Sequence, residues 1–202
     1  MIEEQVQGNW QDAGDDVQFF EPLKAQDKVQ AEIDFVEKST WKVKEGVTGY
    51  EGMEFKAMKV TLKITDESVE TEHADAKPRL TVEDVFNIEK YPYLDKKDFK
   101  VKFLNRNKLF QIEEALGFEP LFTDKTGQEV APHITKNGNK VAPKVEGVKR
   151  VLNRDFASAY FNQDGSPIVD NWVGKKLLID LEVEKSEQFG DKNRVKRYRK
   201  AE

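Results

Sequence analysis

Cysteine is absent from this 202-residue chain, and histidine occurs only twice. The first absence excludes disulfides, thiolate metal sites and a cysteine nucleophile, and it suits a reducing compartment. His73 and His133 stand in separate polar stretches with no partner at metal-ligand or triad spacing, so both read as surface residues. Phosphate-cradling glycine motifs are also missing. Gly46, Gly49 and Gly52 have neither the spacing nor the following helix of a P-loop or a dinucleotide site. No apolar run nears the roughly 20 residues that span a bilayer, and the opening Met-Ile-Glu-Glu is acidic where a secretory leader would be basic. Carboxylate pairs such as Glu83 with Asp84 and Glu113 with Glu114 are expected by chance where 38 residues are acidic. Asp84, on the apolar side of its segment, is the lone acid that a metal-dependent site could use. The expectation is a non-enzymatic cytoplasmic protein with no metal, cofactor or membrane span.

What the chain does have is charge, at 35% of residues, together with 13 Phe, 5 Tyr and 3 Trp. That is too aromatic for a disordered polymer and enough for the core of one domain. The net charge of -5 is unevenly spread. Residues 1–37 hold ten acids and only Lys24 and Lys28 as bases, whereas residues 123–154 and the stretch from Lys192 are basic. An acidic head on a basic body fits an anion-binding protein with a recruiting or self-masking arm.

The clearest periodicity lies at 57–66, where Met58, Val60, Leu62 and Ile64 alternate with Lys59, Thr61, Lys63 and Thr65. This is a strand with one buried face. A second strand is expected at 28–37, with Val29, Ala31, Ile33 and Phe35 inward, and a third at 79–87. A glycine-punctuated hairpin loop at 38–55 joins the first two in chain order. Leu109, Ile112 and Leu116 give a helix over 105–116 stopped by Gly117, with an extension back through Phe103 and Phe99. Residues 121–171 are broken by glycine and proline and predict an insertion, carrying a short helix near 155–161 and room for hairpins of its own. Alternation resumes at Leu177, Ile179, Leu181 and Val183, followed by a turn at 188–193 and a last strand at 194–199.

Three strands, a helix, an insertion and two strands is the order of a five-stranded Greek-key barrel of the OB type, mainly β, with its helix between strands 3 and 4. The division is an acidic arm at 1–22 that could dock through Trp10, Phe19 and Phe20, one domain at 23–199 interrupted at 121–171, and a tail at 200–202. Aromatics interleaved with bases mark the candidate surface, because single strands bind by stacking bases on rings while cations meet phosphates. The residues are Trp41, Lys42, Lys44, Tyr50 and Lys56 in the first hairpin and Lys59 and Lys63 on the strand face. Phe189, Lys192, Arg194, Lys196, Arg197 and Tyr198 complete the set near the end. In an OB barrel the first hairpin and the last loop flank one groove.

The stretches FFEPLKAQDKVQAEI, MKVTLKITD, NKLFQIEEALGF and WVGKKLLIDLEVEKSEQFGDKNRVKRY give the chain a resemblance to bacteriophage OB-fold single-stranded DNA-binding proteins. Phe20, Pro22 and Leu23, then Ala115, Leu116 and Gly117, then Gly174 and Lys175 carry it. The resemblance implies a protein that coats exposed strands during viral replication or recombination, with single-stranded DNA and replication or recombination proteins as partners and a possible homo-oligomer. Cellular counterparts often recruit partners through an acidic C-terminal tail, whereas this chain ends Arg-Lys-Ala-Glu and carries its acids in front. The alternative is a virion structural or scaffold protein making protein contacts.

Overall fold

The computed structural model describes residues 20–74, 76–104, 106–185 and 190–201. In chain order the elements begin with β1 (Phe20–Glu21), β2 (Gln26–Lys42), β3 (Glu54–Ile64), β4 (Lys77–Pro78) and β5 (Thr81–Asn87). They continue with β6 (Tyr91–Leu94), β7 (Val101–Leu104), α1 (Asn107–Ala115), β8 (Leu121–Thr123), β9 (His133–Ile134), β10 (Lys140–Val141) and β11 (Lys149–Val151). Last come α2 (Arg154–Tyr160), α3 (Val169–Trp172), β12 (Lys176–Glu184) and β13 (Lys192–Lys200). The chain is mainly β, as its alternation requires.

Five strands form one antiparallel sheet in the order β13-β12-β2-β3-β5. The expected strands are all present, but β2 is longer than its alternation suggested. Its register shifts between Ile33 and Phe35, so Asp34 is an extra residue opposite β3. The bulge inverts the pleat. Phe35, expected inward, is therefore half exposed, and Val36 takes the buried place. A second bulge puts Arg197 opposite Asp180 and Val195 opposite Leu181, leaving Lys196 as the extra residue. Beyond it Tyr198 turns inward.

The sheet curls around Val29, Ile33, Met58, Val60, Leu62, Val82, Phe86, Leu177, Ile179 and Val195. Helix α1 adds Leu109 and Ile112 to that core. Among the described residues no backbone ladder joins the outer strands β5 and β13; side chains bridge them instead. The Tyr198 hydroxyl on β13 donates to Asp84 Oδ2 on β5 at 2.8 Å, and its ring tilts against Phe86 at 5.4 Å. Lys108 of α1 donates to both Asp84 oxygens at 2.6 and 2.7 Å. Burial and the Asp84 carboxylate push the Tyr198 phenol well above its ordinary pKa, keeping it a donor.

The expected backward extension of the helix also fails. Phe99 and Phe103 do not extend the helix, because Tyr91–Leu94 and Val101–Leu104 pair as an antiparallel hairpin with Phe103 opposite Pro92. Asp95 directs the turn: its carboxylate accepts from Lys97 N at 2.8 Å, and its carbonyl accepts from Phe99 N at 2.9 Å.

The 121–171 segment has its own small hairpins, β8 with β11 and β9 with β10. It also holds the expected short helix, α2, capped by Asn153, whose side chain accepts from Asp155 N and Phe156 N. Phe156, Tyr160, Phe161 and Trp172 pack edge-on or tilted with centroids 4.8 to 5.9 Å apart, and the Trp172 indole donates to Tyr160 O at 3.0 Å. Arg150 clamps the segment to α1, donating to the fully buried Glu113 at 2.8 Å while lying 4.4 Å from the centre of the Phe110 ring.

Two measurements probe the joints of the sheet. Tyr198→Phe removes the hydroxyl that spans β13 and β5, and the loss of a buried hydrogen bond to a carboxylate should destabilise the fold by about 1.5 to 3 kcal/mol in urea unfolding. Asp180 tests the pH dependence. Arg199 grips it in two-pronged fashion at 2.6 and 2.9 Å, Lys28 N donates to it at 3.1 Å, and these hold its carboxyl below the ordinary value. A depressed folded pKa stabilises above the unfolded value of about 3.9 and is lost as pH falls through the folded one. Asp180→Asn should therefore lower the urea midpoint at pH 7, with the gap to wild type closing as the pH drops below about 4.

Candidate functional site

An open cleft of about 1490 Å³ lies on the solvent face of β3 and β5. Lys59, Thr61, Thr81, Glu83 and Val85 line it there, because alternation sends these residues outward while Val60, Leu62 and Phe86 go in; at the β5 edge the cleft also reaches Val82 and Asp84 on the inner side. The end of the β2–β3 hairpin contributes Trp41, Lys42 and Lys44. The β6–β7 hairpin adds Tyr91, Tyr93 and Phe103, and the start of α1 adds Arg106. Lys192 and Arg194, at the base of the connection between β12 and β13, complete the rim.

A run of aromatic contacts holds the two hairpins together. Trp41 meets Tyr91 at 6.3 Å, Tyr91 meets Phe55 at 5.9 Å, Phe55 meets Tyr50 at 6.4 Å, and Tyr50 meets Phe103 edge-on at 5.7 Å. The Tyr91 hydroxyl donates to Lys42 O at 3.1 Å. Trp41 and Phe103 nevertheless keep 43% of their surface open, so each has an area left for a planar ligand.

The cleft is cationic on a protein of net negative charge. Lys59 is engaged by Glu83 at 2.6 Å and Glu37 at 3.8 Å, and the Glu83 hydrogen bond raises its pKa. Lys192 and Arg194 face Glu184 at 3.3 Å and Glu182 at 3.7 Å. Lys42, Lys44, Arg79 and Lys96 line the cleft without an acidic partner among the described residues, whereas Arg106 is partly buried, which pulls its pKa down, and interacts with the Glu113 carboxylate. Arg106 lies over Phe110, its guanidinium 5.6 Å from the ring centre. Charges of this kind are available to an anionic polymer.

Of the sequence-predicted set, the structure brings Trp41, Lys42, Lys44, Lys59, Lys192 and Arg194 to this cleft. Tyr50 is half-buried behind it against Phe103. Lys56 is turned toward the insertion, where its amine donates to Asp164 O. Lys63 is exposed on β3, and Lys196 and Arg197 on β13, all outside the cleft. Tyr198 is corrected from a surface ring to a core one: it is 4% exposed, because the bulge at Lys196 shifts the inward positions of β13. Phe189 lies outside the described residues, as do Trp10 and Phe19 of the acidic arm. Asp84 is taken up by Tyr198 and Lys108, and no group of three or more metal-ligating side chains occurs among the described residues. His73 faces Glu21 at 2.7 Å and His133 is exposed on β9.

Sequence reasoning missed Tyr91, Tyr93, Phe103, Arg79, Lys96 and Arg106. The signal was present as two short alternating runs, Tyr-Pro-Tyr-Leu and Val-Lys-Phe-Leu, around an Asp-Lys-Lys-Asp turn. Among the described residues no helix is long and apolar enough to cross a membrane. Comparison with known proteins yields no family model, no curated protein and no solved structure that matches this chain.

Proposed function

We propose that the protein binds single-stranded DNA in the cleft over β3 and β5, coating exposed strands during replication or recombination in the manner of a viral OB-fold protein. The observation that carries this reading is the joining, in one open cleft, of half-exposed rings with cations that have no internal partner. Rings stack any base and cations neutralise any phosphate, so such a surface binds a strand without reading its sequence.

The barrel reading draws on connectivity. Numbering only the five sheet strands, the order is fifth, fourth, first, second, third, with α1 among the elements between third and fourth, and this is the order that an OB barrel would need. Asp84, Phe86 and Tyr198 then stand at the seam where third and fifth strands meet, and α1 sits over it. In this fold the cleft is the ligand face, flanked by the first hairpin and the last connection. Lys42, Lys44, Arg79 and Arg106 meet the phosphates, and Trp41, Tyr93 and Phe103 meet the bases. The acids at residues 1–16 compete for that surface or recruit a replication partner.

Titration of intrinsic tryptophan fluorescence with a deoxythymidine homopolymer, repeated across a salt series, tests the reading. Trp41→Ala and Phe103→Ala should each weaken binding by about 1 to 3 kcal/mol. The urea midpoint of each variant separates this from the lost packing on Tyr91 and Tyr50. In a second comparison, Lys42→Gln with Lys44→Gln should flatten the plot of log affinity against log salt by about 0.7 for each phosphate contact removed. Lys63→Gln and Arg197→Gln, outside the cleft, should leave that slope unchanged. Binding indifferent to salt and to the aromatic substitutions rules the cleft out.

A further inference from the structure

Phe99 stands at the tip of the β6–β7 hairpin, 76% exposed, the most open of the large apolar side chains among the described residues. Its backbone φ is +53°, a left-handed conformation that glycine adopts without strain and a phenylalanine does not. The turn is tightly specified around it: Asp95 O accepts from Phe99 N at 2.9 Å, Lys100 O accepts from Asp95 N at 3.0 Å, and Asp98 Oδ1 accepts from Lys100 N at 3.2 Å. A bulky ring is thus kept at a position suited to glycine and aimed at solvent, with no packing to show for it.

The charges around the ring point to what it meets. Lys102 reaches Asp95 at 2.8 Å and Asp98 at 3.0 Å, so both acids of the tip are paired with one lysine, and four lysines against two acids leave the tip net positive. Lys96, Lys97 and Lys100 are exposed and have no acidic partner among the described residues. Lys96 and Leu94 line the cleft, so the tip continues the cationic, ring-bearing surface already described. An exposed phenyl on the same hairpin tip as three lysines without an acidic partner suits a polymer of phosphates and flat bases; an apolar protein surface would leave those charges desolvated.

We infer that this hairpin is a junction wedge: where a strand held in the cleft enters a duplex, Phe99 stacks on the terminal base and takes the place of its neighbour, while the lysines hold the diverging backbone. This rests on the single-strand reading of the cleft and adds duplex opening to it. Replacing a base in the stack lowers the cost of unpairing the end, and the binding energy of the cleft then holds the released strand.

The test uses the full chain and two DNA probes, a deoxythymidine homopolymer and a duplex with a single-stranded thymidine tail carrying a fluorophore and quencher at the fork. Phe99→Gly removes the ring and relaxes the backbone. It should leave the thermal midpoint of the protein equal or higher, and it should keep homopolymer affinity within about threefold of wild type while reducing fork opening by about tenfold or more, as expected for one lost stack. Phe99→Trp should restore opening. Fork opening by Phe99→Gly equal to wild type overturns the wedge, as does a fall in its thermal midpoint, which would make Phe99 structural. Wild-type protein that binds the homopolymer but leaves the fork closed also overturns the wedge and spares the cleft. Failure of wild type to bind the homopolymer overturns both.

Discussion

One carboxylate holds the seam of this molecule. Asp84 sits on the last strand of an open five-stranded order, and the opposite edge of the sheet reaches it through the Tyr198 hydroxyl. Lys108 brings α1 to the same two oxygens. A charge that is 8% exposed is costly unless its lone pairs are filled, and here a phenol, an ammonium and the Val85 amide fill them. Each partner comes from a different element, so satisfying this one group fixes β5, β13 and α1 together. The outward faces of β3 and β5 and the start of α1 all line the cleft, whose shape therefore follows from how Asp84 is paired.

The cleft shows how one side of a sheet can serve two demands. Inward positions of β3 and β5 close the core, and the same alternation leaves hydroxyls, acids and amines outside. That face alone is nearly balanced, since Lys59 is spent on Glu83 and Glu37. Cations without an acidic partner arrive on the β2–β3 and β6–β7 hairpins, which meet each other through aromatic contacts.

Much of the fold was legible because alternation is a property of neighbouring residues. Met58 to Ile64 and Leu177 to Val183 needed no distant partner to be read as strands, and Gly117 marked the helix stop. Bulges were not legible, since an extra Asp34 or Lys196 leaves no mark in composition yet reverses which residues face in. That is why Phe35 was expected inside and Tyr198 outside. The β6–β7 hairpin was lost for another reason: Pro92 weakens a strand reading, and Phe99 and Phe103 happen to stand four apart, the spacing of a helix face. About half of the cleft could be named from local motifs. The rest, Arg79, Tyr91, Tyr93, Lys96, Phe103 and Arg106, joins it only through tertiary packing.

Glu113 bears on how the 121–171 segment belongs to the whole. Its carboxylate is fully buried in α1, burial pushes its pKa up, and the groups opposing that push are Asn153 N and Arg150, both supplied by the segment. The helix that covers the seam of the sheet thus takes both of these partners from the segment. Excising the segment would take both partners away from this acid instead of trimming an ornament.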